Sequence, residues 1–365
     1  MSAVEVLFLH DGGQSADVFI NKLLLFIQGA QKSLDIALYD AHFSAGPDHA
    51  GTILDALNEA EARGVVVRAV YNDDDGPEGP HPFMVEPRTG PSFLARLAKN
   101  VPAMGVDGRY DLMHHKYVVR DNAQRTSASV WTGSANWTTD AFTRMENVVV
   151  TIDDVGLAAA YTRDFEDLWR RRKPDDTGSF DDDMSRIRTT DGPLTVRAVF
   201  SPGRGRAMSQ LIATRLGEAT ERIRMCSPVI TSTPIVGTLA EIISDGHMDA
   251  QITVDGTQMA GVIAQWQRDG RASWKVPLYE EMIRSAKVAA KQSIPWGTAD
   301  SYDFMHAKIV VCDDVVITGS FNCSHSGERN AENVVEIRNA AFADKCAAFC
   351  DEVYARYIGG NPGVN

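Results

Sequence analysis

Two short stretches of this chain have nearly the same sequence: MHHKYVVRD at residues 113–121 and MHAKIVVCD at residues 305–313. In each stretch a histidine stands two positions before a lysine, and four residues separate that lysine from an aspartate, Asp121 or Asp313. The apolar, mostly β-branched residues in between favour a strand. Each aspartate stands where the strand gives way to a turn, so we expect a structural role for both.

The two-residue spacing between each histidine and its lysine determines which side of the sheet their side chains point to. Residues i and i+2 of a strand point to the same side of a sheet. His114 is therefore expected on one surface with Lys116, and His306 on one surface with Lys308. The residue between them, which is His115 in the first stretch, faces the opposite way.

A second repeated element follows each stretch, TGSANW at residues 132–137 and TGSFNC at residues 318–323. Period two again puts each serine on one face with the asparagine that follows it. Hydroxyl and carboxamide groups can donate hydrogen bonds to an anion. The residues expected to bind phosphate are Ser134, Asn136, Ser320 and Asn322.

A glutamate comes ten residues after each of these asparagines, Glu146 in RMENVVV and Glu332 in NAENVVE. The offset between the two copies is 186 at the glycine, at the asparagine and at the glutamate. One site element is therefore used twice. A carboxylate on the far ring nitrogen of a histidine fixes its tautomer and stabilises the imidazolium, and these glutamates are the candidates.

With these residues the chain resembles the phospholipase D superfamily, whose signature is a duplicated His-x-Lys-x-x-x-x-Asp followed by Gly-Ser-x-Asn. The resemblance implies a covalent phosphohistidine intermediate, with His114 as nucleophile and His306 as acid, although a symmetric site could run the other way. The chain departs from the family at residues 122–127, since eleven residues separate Asp121 from Gly133 whereas five separate Asp313 from Gly319. We interpret this as a surface insertion.

The same order of secondary structure is predicted twice, which indicates an internal duplication. Helix, strand, helix and strand are expected at residues 15–31, 33–39, 52–63 and 65–71, and again at residues 208–220, 223–230, 234–244 and 250–254. The predicted fold class is α/β, with two pseudo-symmetric βαβα-type halves, each a mixed sheet flanked by helices, and the active site at their interface. The halves are residues 1–172 and 194–365, joined by an acidic, turn-rich linker at residues 173–193.

These residue types suit cleavage of a phosphodiester. Negative charge grows on the phosphoryl oxygens during attack, and fixed cations and donors stabilise it. Histidine titrates near neutral pH, so one imidazole can attack while the other donates a proton. No metal or cofactor is expected, because a lysine beside each histidine would repel a metal cation.

Composition narrows the class of protein. The 365 residues are 44% hydrophobic, and no apolar run reaches the roughly 18 residues of a membrane span, so we expect a cytoplasmic, monomeric protein without stable membrane insertion. Five cysteines without metal-ligand spacing indicate reduced core thiols. A net charge of −13 argues against non-specific coating of nucleic acid.

Three functions remain open. The favoured one is hydrolysis, or phosphatidyl transfer, of a phospholipid or similar small phosphodiester. The second is a nuclease, for which the six cations and interleaved aromatics of residues 268–291 could bind DNA, although a solvated amphipathic helix is the simpler interpretation. The third is a non-catalytic phosphate-binding scaffold. The loops at residues 80–105 and 293–303 are expected to wall the site and set specificity.

Overall fold

The computed structural model describes residues 3–363 except 45, 74–92, 123, 125, 181–183 and 190–191. Residues 80–92 of the first predicted wall loop, two residues of the predicted insertion and five of the predicted linker therefore lie outside the described residues. Within the described part, strands and helices alternate and form two large sheets flanked by helices. This is the mixed α/β architecture that the sequence predicted.

The first half contains nine strands and five helices among the described residues. They are β1 (Val4–Leu9), α1 (Ala16–Gln28), β2 (Ser33–Leu38), β3 (Ala41–His42), α2 (His49–Ala62), β4 (Val66–Asp73), α3 (Phe93–Asn100), β5 (Ala103–Asp107), β6 (Lys116–Arg120), β7 (Ser129–Gly133), β8 (Trp137–Thr138), α4 (Thr139–Thr143), β9 (Asn147–Ile152) and α5 (Val155–Arg171). Seven of these strands form one sheet in the order β1-β9-β7-β6-β2-β4-β5. Strands β3 and β8 form a separate parallel pair.

The second half repeats the plan. Its elements are β10 (Ser185–Thr189), β11 (Gly192–Ser201), α6 (Gly205–Glu218), β12 (Arg222–Cys226), α7 (Thr233–Ser244), β13 (Asp249–Asp255), α8 (Gly256–Arg268), α9 (Lys275–Ser285), β14 (Lys287–Lys291), β15 (Ile309–Cys312), β16 (Val315–Gly319), β17 (Glu332–Arg338) and α10 (Ala340–Tyr357). Its sheet has the order β10-β11-β17-β16-β15-β12-β13-β14. From β11 onward this order matches the first sheet strand for strand, which confirms the two pseudo-symmetric halves.

The predicted elements differ from the structure mainly at their ends. The strand predicted at residues 223–230 ends at Cys226, because Pro228 follows and cannot donate a ladder hydrogen bond. The predicted linker at residues 173–193 contains all of β10, which pairs antiparallel with β11 and forms the edge of the second sheet. That part of the linker therefore belongs to a sheet.

One apolar core runs through both halves. Buried residues of β6, β7, β9 and α5 from the first half pack with residues of β11, β15, β17 and α10 from the second. Two further clusters fill the outer layers, one mainly in each half, and the cluster of the first half also takes in Tyr302 and Phe304 of the second. Burial of this shared core stabilises the two halves against each other, so residues on either side of the interface are held at fixed distances.

The two motif aspartates have the same structural role. Asp121 accepts hydrogen bonds from the backbone N–H groups of residues 31, 32 and 33, at 2.6–3.0 Å. Asp313 accepts three from residues 220, 221 and 222, at 2.8–2.9 Å. Both have a positive φ, 51° and 52°. Each carboxylate thus ties the turn after the motif to the start of the adjacent strand, β2 or β12.

None of the described helices has both the length and the apolar composition needed to cross a membrane. The five cysteines are buried and carry free thiols. Burial raises the pKa of the Cys323 thiol to about 12, so this thiol stays protonated near neutral pH.

Candidate active site

The two motif histidines and lysines meet where the halves join. His114, Lys116 and Lys308 are buried, and His306 is partly buried. Each lysine Nζ donates to the backbone oxygen of its own histidine, at 2.5 Å for Lys116 and 2.8 Å for Lys308. The backbone N–H of His114 donates to the backbone carbonyl of Ala331, in the second half, at 2.9 Å. The site is therefore assembled across the interface.

Both histidines stand just before a strand, since β6 begins at Lys116 and β15 at Ile309. A polar side chain holds the residue in front of each histidine. The Asn72 Oδ1 accepts the Met113 N–H at 2.8 Å, and the Asp255 Oδ2 accepts the Met305 N–H at 3.0 Å. Sequence reasoning missed these two residues, although each stands at the end of the strand that would lead into the site, β4 or β13.

His115, between the first histidine and lysine, faces away from them as the strand period predicts. It is fully buried, with its Nδ1 2.9 Å from the Asn333 Nδ2 and its Nε2 3.1 Å from Asp164. Because Asn333 donates to Nδ1, the ring proton is on Nε2, toward Asp164. These two contacts tie α5 and the first motif to β17 of the second half.

The glycine and serine of the second element allow the strands to approach closely. A Cβ at Gly133 would lie 2.2 Å from the Val148 carbonyl oxygen, and a Cβ at Gly319 would lie 2.2 Å from the Asn333 oxygen. Only glycine fits such an approach. The hydroxyl that follows, on Ser134, then reaches β9 and donates to the Asn147 Oδ1 at 2.7 Å.

Glu332 contacts the first histidine directly. Its Oε2 lies 2.8 Å from the His114 Nδ1, and both side chains are buried. The carboxylate comes from the second half and the imidazole from the first. Among the residues proposed from sequence, this pair forms the contact expected of an orienting carboxylate.

The structure differs from the sequence-based expectation at Glu146. Gly133 pairs with Val149, which is the second valine of its ENVV sequence. The equivalent Gly319 pairs with Val334, which is the first valine of its ENVV sequence. The strand pairing therefore differs by one residue between the two halves. A slip of one residue in a strand moves every side chain to the other face. Glu146 is therefore not at the position that Glu332 occupies in the second half.

Asn147 occupies that position instead. Its Oδ1 lies 3.1 Å from the His306 Nδ1. The second histidine is thus oriented by a neutral carboxamide, and the first by a carboxylate. No pattern in the sequence indicated this exchange, because the ENVV letters match in both copies.

Glu146 lies in a buried ionic cluster between the halves. Its Oε2 is 2.9 Å from the Lys291 Nζ, and its Oε1 accepts a hydrogen bond from the Tyr357 hydroxyl. Lys291 also lies 3.1 Å from Asp11. Glu146 therefore holds β14 and α10 of the second half against the first half.

The electrostatics of the site follow from burial and from the crowding of cations. Burial, then the charges of Lys116 and Lys308, lower the pKa of His114 well below its usual value. Burial, then the same two lysines and His114, lower the pKa of His306 in the same way. That lysines of both halves act on both rings shows how closely the four groups lie. A bound anion would offset this concentration of positive charge.

Two further groups of the site titrate near neutral pH. Burial lowers the pKa of Lys116 to about 7, against the opposing effect of the Glu332 charge. Burial raises the pKa of Glu332 to about 7, against the opposing charge of Lys116 and a hydrogen bond with Ser320. Burial lowers the pKa of Lys308 well below its usual value, and the charge of Lys116 lowers it further.

The two asparagines of the second element are adjacent to this cluster. Asn136 is buried and Asn322 is partly buried. Neither carboxamide oxygen accepts a hydrogen bond from the described residues, although both atoms are inaccessible to solvent. Buried polar groups are normally paired, so each of these oxygens is suited to accept a hydrogen bond from a donor group of a ligand or from water.

The loop at residues 293–303, which the sequence predicted to wall the site, carries an aromatic stack. Trp296 is 69% exposed and stacks on Tyr302 at 4.8 Å, which in turn stacks on Phe304 at 5.1 Å. The loop is braced by the Gly297 N–H, which donates to the Tyr302 hydroxyl at 3.0 Å. An exposed apolar ring is thus held rigidly, and Phe304 stands two residues before His306.

The cations of residues 268–291 do not form a continuous basic surface. Within this stretch Lys275 donates to the Thr231 carbonyl, and Lys291 is buried against Glu146. Arg284 pairs with Glu281 at 2.7 Å, and Lys287 pairs with Asp249 at 3.0 Å. The two exposed cations that remain are Arg268 and Arg271. Among the residues that the structure describes, no three His, Cys, Asp or Glu side chains are grouped as metal ligands would be.

Comparison with known proteins identifies the family. A family model described as the phospholipase D-like domain of cardiolipin synthase matches residues 23–169 and 212–353, one segment in each half. The chain is 32% identical over 159 residues to a mitochondrial cardiolipin hydrolase of Xenopus laevis, and 30% identical over 167 residues to the mitochondrial cardiolipin hydrolase of Homo sapiens. These matches cover 43% and 44% of this chain and 64% and 54% of the relatives, so less than two thirds of either relative is spanned.

A solved structure supports the fold over nearly the whole chain. The phosphatidylserine synthase of Haemophilus influenzae superimposes with a TM-score of 0.66, covering 98% of this chain and 87% of that one, at 14% sequence identity. At this identity the likeness concerns the fold alone. With the family model matched in both halves, the chain belongs to the phospholipase D superfamily of phosphodiesterases.

Proposed function

We propose that this chain is a metal-independent phosphodiesterase of the phospholipase D type, which hydrolyses a phospholipid or transfers its phosphatidyl part through a phosphohistidine intermediate. The observation that carries the proposal is the meeting of one histidine and one lysine from each half in a single buried cluster. Two imidazoles can divide attack and protonation, and two ammonium groups can stabilise the phosphoryl oxygens without a metal.

The reaction needs two steps. The Nε2 of one imidazole attacks phosphorus, while the other imidazolium gives its Nε2 proton to the departing alcohol oxygen as the P–O bond breaks. The second imidazole then takes a proton from water, which attacks phosphorus and breaks the N–P bond. The products are an alcohol and a phosphomonoester, and both rings return to their starting forms. An alcohol in place of water would complete a transfer.

Three observations favour a phospholipid as substrate. The two relatives that match at 32% and 30% identity are named as cardiolipin hydrolases. The exposed Trp296, whose aromatic stack ends at Phe304 two residues before His306, suits contact with acyl chains or a lipid surface, where tryptophan is enriched. The chain carries a net charge of −13, and four of the six cations at residues 268–291 are buried or paired. A polyanion would gain few phosphate contacts there.

Direct competition between substrates tests this proposal. In the presence of EDTA, a short-chain phosphatidylcholine is expected to be cleaved with a kcat/KM at least about tenfold above that for single-stranded DNA, because electrostatic repulsion slows a polyanion. Product release from both substrates would be measured at several salt concentrations. Efficient DNA cleavage that falls steeply with salt, without lipid cleavage, would favour the nuclease alternative. Loss of activity in EDTA that a divalent ion restores would contradict the metal-independent mechanism.

A charge-reversal variant provides the control for this comparison. Arg268→Glu combined with Arg271→Glu changes the two exposed cations of the basic stretch that pair with no carboxylate of the described residues. On the phospholipid proposal, lipid cleavage should stay within about twofold of wild type, since both residues are far in sequence from the motifs and neither contacts the buried cluster. On the nuclease alternative the double variant should lose most DNA cleavage.

The pH dependence of kcat/KM should be bell-shaped, with both limbs near neutrality. Below about pH 7 Glu332, whose pKa is raised to about 7, becomes protonated and can no longer accept the proton on the His114 Nδ1. Above about pH 7 Lys116, whose pKa is lowered to about 7, loses the charge that would hold the phosphate. Because kcat/KM reports the free enzyme, initial rates at low substrate from pH 5 to 9 would check this. A flat profile would contradict it.

A further inference from the structure

The two histidines have unequal partners, and the hydrogen bonds around Asn147 leave no freedom in how it is oriented. Its Nδ2 donates to the Ala141 carbonyl at 3.0 Å, and its Oδ1 accepts from the Ser134 hydroxyl at 2.7 Å. The oxygen therefore faces the His306 Nδ1 at 3.1 Å. An oxygen that only accepts requires a proton on Nδ1, which leaves Nε2 facing the site.

The charged groups around His306 are otherwise cationic. Lys308 lies on the same motif, and Lys116 and His114 lie on the facing motif of the first half. Glu332 is bound to His114, and Glu146, which stands next to Asn147, is turned toward Lys291. No carboxylate of the described residues contacts the His306 ring. Asn147 is the place where a carboxylate would stand if the halves were equivalent.

We propose that Asn147 is a positioning residue that makes the two halves chemically unequal: its neutral carboxamide orients the His306 ring without stabilising the imidazolium, which suits His306 to proton donation rather than to covalent attack. This inference rests on the proposed function. It adds a residue that acts through the second histidine, and it gives a physical reason for a division of roles that the sequence left open.

The division follows from charge. When the His114 Nε2 bonds to phosphorus, its ring becomes cationic, and the Glu332 carboxylate at 2.8 Å from Nδ1 stabilises that cation. When His306 donates its Nε2 proton to the leaving oxygen, its ring loses a positive charge. A carboxylate on its Nδ1 would oppose that loss, whereas a carboxamide does not. Glu332 is therefore a suitable partner for His114 as the nucleophile, and Asn147 is a suitable partner for His306 as the acid.

Asn147→Asp is the test, because it restores the missing carboxylate. An anion within hydrogen-bond distance raises the pKa of a histidine by about 1–3 units, so the His306 pKa should rise by at least about 1 unit. Histidine-selective labelling and NMR titration of the free protein would measure the pKa and the tautomer of His306 directly. In wild type, the tautomer with the proton on Nδ1 is expected.

The kinetic consequence is measured in a single turnover. With substrate bound, the phosphate offsets the lysine charges, and the rate of phosphoenzyme formation at saturating substrate depends on protonated His306. The alkaline limb of this rate should therefore move to higher pH in Asn147→Asp by the same shift. Asn147→Ala is the matched control, since it removes the orienting oxygen without adding charge. Asn147→Ala should slow phosphoenzyme formation by about tenfold or more, without moving the alkaline limb of that rate to higher pH. Thermal unfolding of each variant accounts for the lost hydrogen bond to Ala141.

The outcomes separate this inference from the proposed function. A wild-type His306 with its proton on Nε2, or an Asn147→Asp protein whose His306 pKa is unchanged, overturns the positioning role. Equal losses of rate and stability in both variants, without a pH shift, also overturn it and leave a structural role. A protein that cleaves no phosphodiester contradicts the proposed function, while the NMR titration still decides the role of Asn147.

Discussion

His114→Ala is expected to lower kcat by about four orders of magnitude or more for every phosphodiester tested, because it removes the group that would form the covalent bond. Its buried partner Glu332 has a pKa raised to about 7, so this carboxyl group can take up a proton when the imidazole is gone. The fold should therefore persist. Initial rates would check the expected loss of activity, and thermal unfolding of the same preparation would check that the fold persists.

His306→Ala provides the matched variant and a sharper distinction. Loss of a general acid costs about 10²–10⁴ in rate for a poor leaving group. A nitrophenolate leaves without a proton, so the first-turnover burst of nitrophenolate from a nitrophenyl diester should be much closer to the wild-type rate in His306→Ala, while hydrolysis of the phosphoenzyme still needs His306 as base. His114→Ala should remain inactive toward the same substrate. If the good leaving group rescued His114→Ala and not His306→Ala, the roles of the two histidines would be reversed.

Glu332→Gln and Glu146→Gln should have opposite effects, although the two glutamates are equivalent in sequence. Glu332→Gln removes the carboxylate from the His114 Nδ1 and is expected to slow turnover by about 10³–10⁴, as when the orienting carboxylate of a catalytic histidine becomes an amide. Glu146→Gln should leave kcat within a few-fold of wild type. It should instead lower the free energy of unfolding by about 3 kcal/mol, because the buried Lys291 keeps only the partly exposed Asp11 as a counter-ion.

Chemical denaturation and steady-state kinetics on both variants would measure this contrast. Lys291→Met is the control for Glu146→Gln, since it removes the other partner of the same buried pair. It should likewise affect stability more than catalysis. A Glu146→Gln enzyme that is stable but inactive would show that Glu146 orients a histidine, and the register seen in the structure would then be wrong at β9.

Much of the fold could be predicted because its signals are local and repeated. The alternation of helix and strand in each half, and the period-two spacing of His114 with Lys116, depend only on neighbouring residues. Asp121 and Asp313 were expected to be structural, and both bind three backbone N–H groups of a neighbouring turn. Strand ends were less accurate, and β10 lies inside the predicted linker, because an edge strand with polar residues has the composition of a loop.

The sequence by itself determined the duplication, the chemical groups of the site and their pairing on two motifs. Only the tertiary structure decided which residues orient them. Asn72 and Asp255 hold the motifs through backbone contacts that no spacing rule predicts. The ENVV sequences of β9 and β17 are identical, yet their registers differ by one residue, so that Asn147 faces the second histidine where Glu332 faces the first. The physical reason is that register depends on how neighbouring strands pack, and a slip of one residue exchanges the two faces of a strand without changing a letter of its sequence.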